Sequence, residues 1–378
     1  MRKLSFFNVT FLTGLTAILL FSCIEPADDS VVIPPDSRPD EAPYPFASAL
    51  AVHGDYLYVA CQRLNAIFEP ADTSLIAVID INTDEIVGSI KLNRKNPASM
   101  SVFGNKLLVS SSGDWFGGAS TAGVEMIDLT SNENLGLIAD GGAFGGNLTD
   151  VIFISQSKAY AAAMNENWTT DIIEFNPAAK TVGAKIGGIS DGSGGLAYDG
   201  TKLYVGDRGF DAAGVAVVNP STNDVERTVS TGMPPASLAI IFSATAARVA
   251  ATTISTDYQA ANFEIISSDD YSVSSNIIPG LYADNAVRAF GGDVYILERL
   301  GREKVIKYNT NLMDIEYQEN IGTGINIQDI AVVSGTKAYI SCLQSVDLVV
   351  FNPQTGTKVK TIDLSRFNAY ARNGGNNL

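Results

Sequence analysis

Both tryptophans of this 378-residue chain stand beside carboxylates. Asp114-Trp115-Phe116 and Asn165-Glu166-Asn167-Trp168 each place aromatic surface and an acid within a few residues. Two further segments, Asp207-Arg208-Gly209-Phe210-Asp211 and Asp257-Tyr258, repeat the pairing. An aromatic face offers a platform to the apolar side of a sugar ring and attracts cations through its quadrupole, and a carboxylate accepts from hydroxyls. Such clusters suit sugars or cationic ligands. The other use of the same rings is to plug gaps between neighbouring loops.

A second group is rich in oxygen donors: Asp150, Asn285 and Asp329, with Ser99, Ser237, Asp284 and Gln328 in related positions. Oxygen ligands without histidine suit Ca²⁺ rather than zinc. A narrow water-filled channel needs the same small polar residues, so both readings stand. The single histidine, His53, lies in a turn segment, which disfavours histidine-based metal sites and Ser-His-Asp chemistry. H-E-x-x-H does not occur, and Gly192-Ser-Gly-Gly195 does not open a helix after a strand, so it makes no phosphate cradle. No catalytic residue and no cofactor beyond Ca²⁺ is expected.

Composition narrows the classes further. Hydrophobic residues make up 46% and charged ones 17%, which excludes a disordered chain. With 25 Lys+Arg against 41 Asp+Glu the net charge is −16, and a surface of that sign repels nucleic-acid phosphates.

The elements that hold these residues repeat. Seven segments open the units, from Ala49-Leu-Ala-Val through Ser99, Asp150, Gly195, Ser237 and Asn285-Ala-Val-Arg288 to Asp329-Ile-Ala-Val, spaced 50, 51, 45, 42, 48 and 44 residues apart. A second strand follows each, such as LYVAC at 57–61 and AYISC at 338–342, across turn formers such as His53-Gly54-Asp55. A third strand ends at a turn residue, Asn82, Thr130, Asn176, Asn219, Ser267, Asn309 or Asn352, able to cap the turn through its side-chain oxygen. A weaker fourth strand completes each unit. Seven four-stranded units of this length predict an all-β chain: a seven-bladed β-propeller of antiparallel blades, because a ring buries both apolar faces of every small sheet.

Leu57-Tyr-Val59, Leu203-Tyr-Val205, the Val78-Ile-Asp-Ile-Asn-Thr83 turn and Thr231-Gly-Met-Pro-Pro235 make residues 47–365 resemble the YVTN family of bacterial propeller repeats. The resemblance implies the fold. It says little about chemistry, because the family hosts binding proteins and enzymes alike.

Blade 1 owns its inner strand and blade 7 its outer one, so no strand is exchanged at closure, and packing between those blades should seal the ring. Cys61 and Cys342 occupy equivalent positions in them. Facing sheets about 10 Å apart and side chains pointing the same way round the ring oppose a disulfide.

Residues 1–22 read as a signal peptide, and Leu20-Phe21-Ser22-Cys23 resembles a lipobox, with Cys23 as the lipidation site. Residues 23–46 form an acylated, Pro- and acid-rich tether, 47–367 the propeller and 368–378 a polar tail. In a propeller, the loops after the second strands and those entering the inner strands share one face. Asp114, Trp115, Glu166, Trp168, Asp207, Arg208, Phe210, Asp257 and Tyr258 therefore become one candidate face, and Asp150, Asn285 and Asp329 a candidate Ca²⁺ site at the channel mouth. The expected function is that of a membrane-anchored protein of the bacterial envelope, on the periplasmic or cell-surface side. Its propeller face binds a protein or glycan partner without catalysis and takes no nucleic acid. Two alternatives are a hydrolase using carboxylates at the channel mouth, since some lactonases resemble this repeat family, and a structural subunit of an envelope assembly.

Overall fold

The computed structural model describes residues 44–65, 68–70, 73–114, 118–209, 213–242, 247–275 and 277–369. Its 28 strands form seven four-stranded sheets, each made of consecutive antiparallel strands, arranged as a seven-bladed β-propeller. Every sheet is complete within its own stretch of chain, from Ala47–Lys91 in blade 1 to Ile327–Asp363 in blade 7, so the ring closes without strand exchange.

The burial pattern explains the sequence pattern. Second strands such as Tyr56–Cys61 and Leu203–Asp207 are buried on both faces, because each faces a neighbouring blade on either side. That is why they read as unbroken apolar runs. Outer strands such as Glu85–Lys91 alternate, with one face to solvent. Blade 5 is the poorest, with an outer strand of two residues, Val273–Ser274. The core is divided into seven interblade layers rather than one centre. Leu57, Val59, Tyr339 and Leu348 pack blade 7 on blade 1, and Phe263, Ile296 and Tyr308 pack blade 5 on blade 6. Each fully buried aliphatic or aromatic side chain there contributes about 1.5–3 kcal/mol relative to exposure.

Cys61 and Cys342 are buried free thiols, which burial pushes up to about 12. Cys61 faces the layer between blades 7 and 1 and Cys342 the layer between blades 6 and 7, so each points the same way round the ring.

The repeated tyrosine has a mechanical role. In three blades its hydroxyl leaves the blade and donates to the turn before the next blade's outer strand, as Tyr58 does to Asn132 Oδ1 at 2.8 Å and Tyr160 to Asn223 Oδ1 at 2.6 Å. Tyr339 makes the same bond to Asp84 across the closure, where Lys337 and Lys360 also pair with Asp84 at 2.7 and 2.9 Å. Tyr204 instead donates to Asp199 Oδ2 of its own blade at 2.8 Å. Asn132, Asn223 and Asp84 all sit at positive φ, a conformation Asn and Asp tolerate. Arg63 adds a latch on the opposite face, donating to the carbonyls of Phe367, Asn368 and Ala369. Closure therefore uses the interblade tyrosine joint plus one clamp on the segment 367–369 that follows blade 7.

The turn caps follow expectation in blades 3, 4, 6 and 7, where Asn176, Asn219, Asn309 and Asn352 accept from N–H groups two or three residues on, and in blade 5, where Ser267 does so. In blades 1 and 2 the cap lies two residues earlier than Asn82 and Thr130. Asp80 and Asp128 accept there, and Asn82 and Thr130 are donors.

Candidate functional site

The inner strands enclose a chamber of about 780 Å³ that opens on the face where second strands turn into third strands. All seven blades contribute to its wall. The residues at the head of the inner strands do not project freely into it. They join neighbouring blades at six of the seven joints.

Ser48 Oγ donates to Pro97 O at 2.9 Å, linking blades 1 and 2. Asp150 takes the Ser99 hydroxyl at 2.6 Å from blade 2 and the Leu196 N–H at 3.2 Å from blade 4. Ser237 accepts from Val287 N at 3.2 Å between blades 5 and 6. Asp329 pairs with Arg288 of blade 6 at 2.8 Å and accepts from Leu50 N of blade 1 at 3.0 Å. Among the described residues, the joint between blades 4 and 5 has no such inner-strand side-chain bond. Blade 4 presents Gly195 there, at φ +95. The neighbouring Gly194 and Gly206 approach so closely that a Cβ on Gly194 would lie 2.7 Å from Gly206 O, so the glycine-rich run serves backbone contact.

Two of the oxygen donors suggested for Ca²⁺ are therefore struts of the ring. Asp150 also accepts from Val151 N, and Asp329 from Ile330 N. Asn285 donates to the carbonyls of Tyr282 and Ala283, leaving its buried Oδ1 unpartnered. Among the described residues no group of three or more His, Cys, Asp or Glu side chains could hold a metal ion. Burial pushes the Asp150 carboxyl above its ordinary range, with the Ser99 hydroxyl, the Val151 N–H and the charge of Arg288 pulling the other way.

The aromatic and acidic candidates divide between two places. Arg208 and Tyr258 line the chamber on either side of the blade 4–5 joint. Glu166 and Trp168 line a separate cleft of about 270 Å³ between the loops of blades 2 and 3. Trp168 is 62% exposed there, at φ +62. Asp207 is buried, and its oxygens accept from the N–H groups of Ser190, Asp191 and Gly209, so it shapes the loop that carries Arg208. Asp114 is tied to Thr121 through its N–H and to Lys95 at 3.6 Å. Asp257 is exposed and organises its own turn; the Ser255 hydroxyl, at 2.6 Å, holds its carboxyl below the ordinary range. Trp115, Phe210 and Cys23 lie outside the described residues.

The wall also holds residues outside the candidate set. Arg288 and Arg299 line the chamber, with Arg299 paired to Asp284 at 2.6 Å. A signal for Arg288 was present in the repeats. It stands where the other six inner strands carry Val52, Val102, Phe153, Tyr198, Ile240 and Val332, so it is the one charge at an apolar position.

No family model matches the chain, and no curated protein does. Among solved structures it is similar to the Kuenenia stuttgartiensis hydrazine synthase, with a TM-score of 0.62 and 14% identity over 82% of this chain and 97% of that one. It is also similar to the computationally designed Ika8 protein, at TM-score 0.56 and 13% identity over 86% and 89% of the two chains. A third likeness is to the dihydro-heme d1 dehydrogenase NirN in complex with DHE, at TM-score 0.54 and 13% identity over 83% of this chain and 66% of that one. At such identities the likeness is one of fold alone.

Proposed function

We propose that the chain is a lipid-anchored binding protein of the bacterial envelope that takes a protein or glycan partner at the mouth of its channel, without turnover. The observation that carries this reading is the state of the chamber's acids. Asp150 and Asp329 spend their oxygens on interblade bonds, while the chamber itself stays open to ligand on one face. A general acid or base has to exchange protons with a substrate, and a carboxylate already holding two or three donors of the ring is poorly placed for that. The same acids serve a rigid, preformed cavity well. Trp168 supports the reading from outside the chamber, since a large exposed ring at a cleft edge suits contact with a partner.

Two experiments test it. Glycan-array binding by the full-length protein, and crosslinking in the native envelope, should both weaken on Trp168→Ala or Arg208→Ala with the fold intact by circular dichroism. Unchanged binding in both variants would remove the face from the account. For the anchor, Cys23→Ala should abolish palmitate labelling and release the protein from membranes. Labelling that survives the substitution would contradict it.

A further inference from the structure

The chamber's charge is unlike that of the chain. Its wall carries three arginines, Arg208, Arg288 and Arg299, against three aspartates, Asp150, Asp284 and Asp329, and no lysine, while the whole chain stands at −16. Two of the arginines are satisfied: Arg288 by Asp329 at 2.8 Å and Arg299 by Asp284 at 2.6 Å. Arg208 differs. Among the described residues no carboxylate lies within ion-pairing distance of it. Its charged neighbour Asp191 already accepts through Oδ1 from Thr170 N and Ser193 N, and its side-chain hydrogen bond goes to Tyr258, which carries no carboxylate. The guanidinium also sits at the blade 4–5 joint, where among the described residues no inner-strand side chain bonds across and the Arg208–Tyr258 contact does so instead.

We infer that the chamber seats an anionic group of its ligand, a carboxylate or a phosphate, against the guanidinium of Arg208. The inference deepens the binding reading above and rests on it. An arginine taken out of water without a counter-charge is costly, and a planar fork of donors is matched by a carboxylate or phosphate. Burial holds the Arg208 guanidinium below its ordinary range, against the opposing pull of Asp191 and Tyr258. Asp150, the acid without an ion-paired base on the same wall, is pushed by burial toward its neutral form and so repels an incoming anion less. Tyr258 and Tyr282 flank the opening and supply ring surface for the rest of the ligand.

The test is a thermal-shift titration of the full-length lipoprotein in detergent with D-glucuronate and with inorganic phosphate. D-glucose and potassium chloride at matched ionic strength are the controls. At about ten times its dissociation constant, at least one anion should raise Tm by about 2–4 °C, and neither control should. Which anion acts separates a carboxylate-bearing from a phosphate-bearing ligand. Arg208→Lys should keep part of the shift and Arg208→Met should lose it.

The ligand-free proteins give a second readout. Arg208→Met should match or exceed the wild-type Tm, because it removes a largely buried cation that has no ion-paired carboxylate among the described residues. Arg299→Met should lower it, because it strands Asp284. A shift that persists in Arg208→Met, an absence of shift with both anions, or a ligand-free Arg208→Met that falls as Arg299→Met does would each overturn the inference. If anions fail while array or envelope binding still depends on Trp168, the anion site falls and the binding reading stands. If that binding is absent as well, both fall.

Discussion

On the face where third strands turn into outer strands, Tyr58, Tyr160 and Tyr339 make one bond three times over, and the closing joint uses the same bond as the internal ones. On the opposite face the repetition is partial: Asp150 and Asp329 both accept from the next blade's inner strand and from the residue after themselves, but Ser99 completes the first set and Arg288 the second. Asp150, Gly195, Ser237, Asn285 and Asp329 head five of the inner strands, and each has a different set of partners. The turn face is repeated because it has one task, to hold neighbouring sheets in register. The loop face is varied because its side chains both close the ring and shape a cavity. Stability should therefore respond to the first face and binding to the second.

The sharpest way to break that division is at the closure. Asp84→Ala leaves Lys337, Lys360 and Tyr339 without their shared partner at a position of positive φ. A loss of about 2–3 kcal/mol is expected by urea denaturation, discounted because Lys360 is half exposed. A loss no larger than that of a surface substitution would show that closure rests on apolar packing alone. A smaller effect, about 1 kcal/mol each, is expected for Tyr58→Phe and Tyr160→Phe, which remove one hydroxyl bond while keeping the ring. Unequal losses at the two sites would deny that the bond is a repeated unit.

Acid pH separates the faces with opposite signs. Burial works against ionisation of Asp84, but Lys337, Tyr339 and Lys360 outweigh it and hold the carboxyl below 3.8. Its stabilisation is full above that value and is lost as pH falls through the lower native one. Asp150 is raised in the fold, so its contribution is full below 3.8 and is lost as pH rises through the raised native value. In urea midpoints followed from neutral pH downward, wild type should lose its advantage over Asp84→Asn and gain relative to Asp150→Asn. Parallel curves would contradict both assignments. The smallest stability effect belongs to Trp168→Ala, within about 0.5 kcal/mol, because the ring is largely exposed.

The ring was legible in the sequence because propeller blades are local. All four strands of a sheet are contiguous, and second strands buried on both faces read as apolar runs. The meaning of the motif tyrosine was not legible, since its partner lies about 60–75 residues away in the next blade's turn. Asp150 and Asp329 show the limit most clearly. Their position at the head of the inner strands could be read from the repeats, but an acid facing a channel and an acid accepting a neighbour's N–H look alike in sequence. Arg288 was the reverse case, visible as a lone charge in an apolar column. Arg208 was visible only as part of an aromatic and acidic loop, and that no described carboxylate pairs with it depends on where the fold places its neighbours Asp191 and Tyr258.

The turn face also offers a rival binding surface. Phe103, Phe242 and Phe290 end their inner strands exposed at the other side of the ring. Hydroxyl-radical footprinting, comparing the protein in its native envelope with the purified protein in detergent, sets the two faces against each other and needs no identified ligand. Protection in the envelope at Trp168, Tyr258 and Tyr282, with Phe103, Phe242 and Phe290 oxidised equally in both states, is the expected result. Protection of the three phenylalanines with the loop-face aromatics unchanged would contradict the account.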